Sequence, residues 1–177
     1  MTFGPHINET VTKCRGLLGV IARSVPFIHC DLLRLLYIAL IRSVLEYSSS
    51  VFLSCAPTHL KKLDIVQKKA ARIILRHPRD AHAEPLLNTL KLDSLTERRT
   101  SHTLKLVSSI LKGDCHPALR SSFTSLPDNT LEIPHSRTGL GKRRFGIAAP
   151  KLFNHQEELL QQQLQQGITA EGRHLVD

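Results

Sequence analysis

The residues of this sequence best suited to a chemical task are lysines and arginines that recur at helical spacing. When positions 61–76 are drawn on a helical wheel, a set of these cations falls within an arc of about 120°. They are Lys61, Lys62, Lys68, Lys69, Arg72 and Arg76. A line of cations neutralises the phosphates of a nucleic acid and releases their counterions. The pattern therefore predicts contacts to a nucleic-acid backbone, which position the partner without reading its sequence.

Two further groups of basic residues repeat this arrangement. A second helical pattern is apolar on one side and basic on the other, and its basic residues are Arg98, Arg99, His102, Lys105 and Lys112. The sequence "GKRRFG" adds Lys142, Arg143 and Arg144, followed by Phe145, which either stacks on a base or belongs to an ordinary core. Either helix alone is typical of a solvated basic surface. Both helices together favour a nucleic acid as the partner.

The distribution of charge points to the same partner. The formal net charge is +9, and residues 57–112 contain twelve Lys and Arg against five Asp and Glu, a balance of +7. Such a local excess indicates a polyanionic partner, a nucleic acid before a membrane. A basic surface that serves only solubility is the alternative interpretation.

No other pattern of residues predicts chemistry. The histidines form no H-E-x-x-H pair, and the sequence has no nucleotide-binding glycine loop and no G-x-S-x-G. "GLGKRR" has neither the preceding strand nor the following Lys-Ser/Thr of a phosphate loop. The cysteines lack the spacing of a zinc site and are interpreted as reduced thiols: Cys14, Cys30, Cys55 and Cys115. We therefore expect no catalytic residue, no metal, no cofactor and no small-molecule ligand.

The elements that must position the cations are predicted to be helices. Aromatic residues make up 5 % of the chain and Trp is absent, so we expect a Leu-, Ile-, Val- and Ala-based core that favours helix packing. Apolar residues at helical spacing predict helices over 8–24, 31–51, 57–77 and 94–112. The prediction is an all-α fold of about four helices in a small bundle.

Several residues mark the ends of these helices. Asn8 is a candidate N-cap of the first helix, and Pro57 suits the first turn of the third. "SLTE" at 94–97 is a capping box for the fourth helix, and Gly113 is suited to end it. The second helix is apolar nearly all round, which indicates a central helix contacted from several sides.

The composition divides the chain into three segments. Residues 1–113 form the helical domain, 114–154 a loop-rich extension that could hold a hairpin, and 155–177 a Gln-rich tail. The tail could form an amphipathic helix on Leu159, Leu160 and Leu164. The amino terminus lacks the features of a signal peptide, and the apolar run 35–41 is too short to cross a bilayer. We therefore expect an intracellular protein, nuclear or cytoplasmic, without a membrane partner.

Five stretches of the sequence, taken in order, resemble one protein family. They are "HINETVTKCRGLLGVIAR", "LRLLYIALIRSVLEYSSSVF", "HLKKLDIVQKKAARIIL", "EPLLNTLKLDSLTERR" and "RTGLGKRRFGIAAPKLFN". Together they resemble the region after the polymerase palm in LINE-type (non-LTR) retrotransposon reverse transcriptases, of the jockey-like and chicken-repeat-like type. The resemblance covers about residues 4–154.

The resemblance implies that the first helices correspond to the polymerase thumb and the regions just beyond it, which hold the template–primer duplex. The cations of the third helix then occupy the family element L-x-x-x-Q-x-x-A-x-R, and Arg98 and Arg99 are the paired arginines after "LDSLTE". The chain also departs from the family. Phe52 and Phe153 stand where the family usually has Trp, and His155–Gln156 stands where it has Leu-Pro. The palm and its metal-binding aspartates do not occur.

We therefore expect a non-catalytic, carboxy-terminal fragment of a reverse transcriptase, an RNA-directed DNA polymerase, and no enzymatic activity of the isolated chain. The expected partner is RNA or an RNA–DNA duplex, contacted through its backbone, with a polymerase palm in cis or in trans. Three alternatives stay open. The first is a domesticated nucleic-acid-binding module that acts alone. The second is a helical protein-interaction module that uses the exposed side of the second helix, and the third is an element remnant without autonomous activity.

Overall fold

The described part of the chain is all-α, as predicted. The computed structural model describes the backbone of residues 3–47, 49–128 and 130–171, and the side chains of these residues up to Gln163. The helices are α1 (Gly4–Ser24), α2 (Cys30–Leu36), α3 (Ser43–Glu46), α4 (Pro57–Ile74), α5 (Ala83–Thr89), α6 (Leu95–Lys112), α7 (Pro117–Arg120), α8 (Gly139–Lys142) and α9 (Phe145–Glu171). A π-helical segment, Tyr37–Arg42, joins α2 to α3, and a 3-10 helix covers Val51–Ser54.

Packing divides the chain into two compact units, Met1–His102 and Thr103–Asp177, and the boundary between them falls inside α6. The first unit has one apolar core, to which α1, α2, α4, α5 and the start of α6 contribute. Tyr37 and Phe52 are its largest fully buried side chains. The predicted segments 1–113, 114–154 and 155–177 follow composition and not packing, and they stay a prediction.

Helix α1 begins before its predicted start. Pro5 lies in the first turn, where its missing N–H leaves no intrahelical hydrogen bond unmade. Asn8 lies inside the helix and is not the N-cap; its Oδ1 accepts a hydrogen bond of 2.7 Å from Lys62 Nζ of α4. The predicted inner face is confirmed, since Val11, Cys14, Leu18 and Ile21 are buried.

The predicted second helix, 31–51, ends earlier and is less deeply buried than expected. Regular helix stops at Glu46, and the middle of the element is the π-helical segment. Its buried residues form one stripe: Leu33, Tyr37, Ile41 and Leu45. Leu32, Leu35 and Leu40 are 56 %, 54 % and 42 % exposed. The expectation of a helix contacted nearly all round therefore fails on the side of these three leucines, which no element among the described residues covers.

Helix α4 has the predicted start and the predicted apolar side. Pro57 lies in its first turn, and Leu63, Val66, Ala70 and Ile74 are buried. The helix ends at Ile74 and not at His77. The reason is a left-handed residue, Arg76, with φ +57°, after which the His77 N–H bonds back to the Arg72 carbonyl at 2.9 Å. This is the usual geometry of a helix carboxy terminus.

The capping box before α6 forms as predicted. Glu97 Oε2 accepts from the Ser94 N–H at 2.9 Å, and Ser94 Oγ accepts from the Glu97 N–H at 3.2 Å. The backbone N–H of Ser94 holds the pKa of Glu97 below its usual range. At the other end, Gly113 has φ +87°, and the Asp114 N–H reaches the Ser109 carbonyl at 3.0 Å. Gly113 therefore ends the helix because glycine adopts the left-handed conformation without a Cβ clash.

The second unit is built around a tight turn and the long helix α9. An isolated antiparallel bridge pairs Ser125 with Leu131, and backbone hydrogen bonds on either side of it, Leu126 N–H to the Thr130 carbonyl at 2.8 Å and Glu132 N–H to the Thr124 carbonyl at 2.9 Å, form a short hairpin-like turn. The Asn154 side chain clamps this turn: it accepts from the Leu131 N–H and donates to the Leu131 carbonyl, both at 2.8 Å. Leu159 and Leu160 are exposed, whereas the side chain of Leu164 and residues 172–177 of the tail lie outside the described residues.

Among the described residues, no helix combines the length and the hydropathy that a membrane span requires.

Candidate nucleic-acid interface

The outer face of α4 carries the most accessible of the predicted cations. Lys61 and Lys69 are exposed, and neither makes a hydrogen bond or an ion pair within the described residues. Lys68 is paired with Glu84 of α5 at 2.8 Å, with 40 % of the lysine side chain and 68 % of the glutamate side chain exposed. The Lys68 ammonium lowers the pKa of Glu84. An ion pair this exposed contributes little to folding and can exchange partners.

An apolar residue interrupts this cationic face. Ile65 is 47 % exposed and, at 100° per residue, falls between Lys61 and Lys69 on the wheel. It offers a methyl surface in the middle of a charged face. The outer face of α4 is therefore a mixed surface and not a purely ionic one.

Two other cations of α4, and Arg76, which lies beyond the end of the helix and not on its predicted cationic face, bond to neutral acceptors of neighbouring segments. Lys62 donates to Asn8 Oδ1 at 2.7 Å, as described above. Arg72 Nε donates to the Ala81 carbonyl at 2.8 Å, and Arg76 Nη2 donates to the Val25 carbonyl at 2.6 Å. Because these acceptors carry no formal charge, the positive charge of all three side chains stays uncompensated. The hydrogen bonds of Arg72 and Arg76 attach the flanking loops to α4, and that of Lys62 joins α4 to α1. None of them reduces the positive electrostatic potential of this surface.

Arg98 of α6 lies in a network of ion pairs. Its Nη2 donates to Glu46 Oε2 at 2.9 Å, and its Nε contacts the other oxygen of the same carboxylate. Arg42 also approaches Glu46, at 3.8 Å, and Asp93 lies 3.7 Å from Arg98. The hydrogen bond from Arg98 to the half-buried Glu46 carboxylate raises the pKa of the guanidinium. The charge of Arg98 is therefore largely neutralised within the fold.

Arg99 is buried, although the sequence pattern predicts it on the basic side of α6. The residue is only 7 % exposed, and Nη2 lies 3.1 Å from Asp64 Oδ1 of α4 and 3.0 Å from Thr96 Oγ1. The expectation of an exposed cationic stripe that includes Arg99 is wrong. The physical reason is a carboxylate on α4 that draws the guanidinium inward, because a buried charge requires a partner. Whether Arg98 and Arg99 contact a nucleic acid stays a prediction.

The remaining predicted residues of α6 differ in their surroundings. His102 is half-buried, and its Nδ1 lies 3.0 Å from Ser49 Oγ. Lys105 and Lys112 are exposed and make no hydrogen bond or ion pair within the described residues. Both belong to the second unit, whereas His102 belongs to the first. Only the two lysines therefore meet the expectation of an exposed basic side.

The "GKRRFG" segment is split by the fold. Lys142 and Arg144 are exposed, whereas Arg143 is half-buried and its Nε is buried without a partner among the described residues. Phe145 packs edge-on against Phe123, with ring centroids 5.8 Å apart and an interplanar angle of 77°. This packing favours the interpretation of Phe145 as an ordinary core residue over that of a base-stacking platform.

Gln67 has a structural role that the pattern of cations in the sequence did not predict. It is 2 % exposed, its Nε2 donates to the Asp93 carbonyl at 2.9 Å, and its Oε1 accepts from the Leu95 N–H at 3.2 Å. The buried amide thus attaches the turn before α6 to the inner side of α4. A polar residue within the apolar arc of a helix was the signal that could have revealed this role.

Neither the buried Cys14 nor a local cluster at the start of α2 has the geometry of a distinct chemical site. Burial raises the pKa of the Cys14 thiol to about 11, which makes it a poor nucleophile at neutral pH. Potential ligand atoms of His29, Cys30 and Asp31 lie within 4.8 Å of one another, at the exposed start of α2. His29 Nδ1 also lies 3.3 Å from Asp31 Oδ2, which is an ordinary surface contact, so the prediction that no metal binds stays a prediction.

Comparison with known proteins gives no relative: the chain matches no protein-family model, no curated protein and no solved structure.

Proposed function

We propose that this chain holds the backbone of a template–primer nucleic acid, as the non-catalytic region that follows the palm in a LINE-type reverse transcriptase. The observation that carries the proposal is the outer face of α4. Lys61 and Lys69 are exposed there without partners among the described residues, and Lys62, Arg72 and the post-helical Arg76 bond to neutral acceptors and form no ion pair within the same residues. The sequence resemblance supports the proposal, because it implies that the same helix belongs to the region after the polymerase palm.

The spacing of these lysines suits a phosphate backbone. Lys61 and Lys69 are separated by roughly 12 Å along the helix axis, which equals the axial rise of three or four phosphates of one duplex strand when α4 lies parallel to the duplex axis. Lys68 lies between them and can exchange its exposed partner Glu84 for a phosphate. Ammonium groups are mobile point charges, so the contact would follow the backbone without selecting a base sequence.

In this proposal the chain supplies no catalytic group. The chemistry of nucleotide addition belongs to the palm, and this region keeps the duplex in place behind the active site. RNA or an RNA–DNA duplex is the partner, and the palm acts in cis or in trans. A partner of this kind requires a broad positive field more than individual strong contacts.

The test is a salt series of RNA–DNA duplex binding by the full chain. We expect affinity to fall steeply between about 50 and 300 mM salt, because each phosphate contact releases counterions. In the variant Lys61→Ala/Lys69→Ala, the slope of log K against log salt should become shallower by roughly one to two.

The matched control removes two exposed lysines elsewhere, Lys13→Ala/Lys151→Ala, which also make no hydrogen bond or ion pair among the described residues. It lowers the net charge by the same amount, so its slope should stay close to that of the unmodified chain. A weak, salt-independent affinity of the unmodified chain would refute the proposal. Equal slopes for the two double variants would place the contact away from α4.

A second candidate function is protein interaction, and one specific observation favours it. Leu32, Leu35 and Leu40 are exposed along α2 and the π-helical segment, and Tyr47 follows with 71 % exposure. Exposed apolar residues in succession are typical of a surface that contacts another protein. Sedimentation of the full chain would separate the two functions, because self-association that is abolished by Leu32→Ser/Leu35→Ser supports interaction. A monodisperse monomer with salt-dependent duplex binding supports the first proposal alone.

A further inference from the structure

A cavity of about 610 Å³ lies in the second unit, beside the segment 134–147. We propose that it binds a phosphate ester of a nucleoside. The residues that line it include six with polar or basic side chains: Ser122, His135, Ser136, Arg137, Thr138 and Arg144. Among the residues that the structure describes, no acidic one lines it. A cavity of this composition offers hydrogen-bond donors and positive charge together, and it therefore selects an anion rich in acceptor oxygens.

The two arginines are available to a ligand. Arg137 and Arg144 are exposed, and neither forms a hydrogen bond or an ion pair within the described residues. In this respect they differ from Arg98 and Arg99, whose charges are paired with carboxylates. A guanidinium presents several N–H donors in one plane, which matches the oxygens of a phosphate in a bidentate contact.

Local structure holds the hydroxyl groups of the cavity in place. Thr138 Oγ1 accepts from the Gly141 N–H at 3.0 Å and so caps the single turn of α8. Ser136 Oγ lies so close to Gly141 that a Cβ on this glycine would be 2.0 Å from it. Gly141 is therefore required for this approach, because any other residue would displace the Ser136 hydroxyl. The Arg144 N–H bonds to the Gly141 carbonyl at 2.9 Å, which fixes the backbone from which the second guanidinium extends.

The size and the apolar part of the cavity define the class of ligand. Its volume lies within the range of roughly 300–1,000 Å³ that small-molecule sites occupy, and it exceeds the need of a lone phosphate ion. Pro134, Leu140 and Ile147 line the same cavity. Apolar side chains beside the cations can contact a ribose and a base while the arginines bind the phosphate. The ligand class is therefore a nucleoside phosphate, either as a free nucleotide or as one residue of a strand.

Binding of a phosphate ester does not depend on the proposed function, whereas the assignment of that phosphate to a nucleic-acid strand rests on it. The two proposals use different residues in different units. Lys61 and Lys69 of α4 serve the duplex, and Arg137 and Arg144 serve the cavity. Loss of one contact therefore leaves the other measurable.

In the experiment, the full chain is titrated separately into AMP, inorganic phosphate and adenosine. Binding of AMP and of phosphate is measured from the line width of their phosphorus NMR signals. Binding of adenosine is measured by calorimetry. We expect AMP and phosphate to bind and adenosine to show no measurable affinity. In the variant Arg137→Gln/Arg144→Gln, the affinity for AMP should fall roughly tenfold or more, because two charge-assisted contacts are lost. Both side chains are exposed, so the far-UV circular dichroism spectrum should be unchanged.

The matched control is Arg120→Gln/Lys151→Gln, which removes two exposed cations of the same unit that lie outside this cavity. It should leave the affinity for AMP within about twofold, since only the general field changes. Competition by a short RNA without a terminal phosphate would assign the site to a strand, and failure of that RNA to compete would assign it to a free nucleotide. Absence of AMP binding, or an equal loss in both double variants, would overturn the proposal.

Discussion

The buried amide of Gln67 allows a sharp test of the packing between α4 and the turn before α6. The substitution Gln67→Leu keeps the size of the side chain nearly constant and removes both of its hydrogen bonds. The Leu95 N–H then loses its acceptor in a place where the residue is 2 % exposed. The Asp93 carbonyl loses its donor as well, but Asp93 is exposed, and water can replace the amide there.

The expected cost follows from these two environments. A buried N–H without a partner costs about 1–3 kcal/mol, and the partly solvated carbonyl adds less than about 1 kcal/mol. Leucine also buries more apolar surface than glutamine, which stabilises the folded state by about 1 kcal/mol. We therefore expect Gln67→Leu to lower the free energy of unfolding by about 2 kcal/mol. Gln67→Glu keeps the acceptor for Leu95 but places a carboxylate oxygen against the Asp93 carbonyl.

Burial and the facing carbonyl would raise the pKa of the new glutamate above its unfolded value, because only the protonated form can donate to Asp93. The folded state would then bind the proton more tightly than the unfolded state. The cost of Gln67→Glu should therefore be largest at neutral pH and should shrink as the pH falls through the titration range of glutamate.

The assay is urea unfolding followed by far-UV circular dichroism, since the chain has no Trp to report by fluorescence. The exposed substitution Gln156→Leu is the control, and it should change the free energy of unfolding by less than about 0.5 kcal/mol. A Gln67→Leu variant as stable as the unmodified chain would refute the role of the amide. A Gln67→Glu variant whose cost does not depend on pH would refute the orientation assigned to it.

Other residues allow independent predictions by the same unfolding assay. Lys91 has φ +50° after α5, so Lys91→Gly should raise the free energy of unfolding by about 0.5 kcal/mol, whereas an unchanged or lower value would exclude strain at this position. Glu46→Gln removes the half-buried carboxylate between Arg42 and Arg98 and should cost about 2 kcal/mol; a neutral effect would show that these guanidiniums are solvated. Burial raises the pKa of the Cys14 thiol to about 11. Between about pH 9 and pH 11 the folded thiol therefore keeps its proton while the unfolded thiol loses it, so the free energy of unfolding should fall as the pH rises through this range. The fall should be smaller in Cys14→Ala, and equal profiles would contradict a buried, protonated thiol.

Local signals in the sequence predicted the elements well. The capping box of Ser94 and Glu97, the left-handed Gly113 and the first-turn Pro57 all depend on residues within one helical turn of each other. The interactions behind these signals lie within a few consecutive residues, so the sequence alone was sufficient to predict them. The apolar side of α4 was predictable for the same reason, since helical periodicity determines which residues share a face. The break of the second helix was not predicted, because the π-helical segment has no simple local signature.

The candidate interface shows where this local physics ends. The residues alone predict a helical chain with a concentrated excess of positive charge and a cationic face on α4, although Arg76, the sixth cation of the predicted face, lies beyond the end of the helix. Tertiary structure decided which cations are available. Arg98 meets Glu46, 52 residues away, and Arg99 meets Asp64, 35 residues away, so neither charge faces solvent alone. Helical periodicity relates residues a few positions apart, so it cannot predict ion pairs between residues this far apart in the sequence. Such pairs form where packing brings opposite charges together. Lys61 and Lys69 stay exposed because packing brings no carboxylate of the described residues to them.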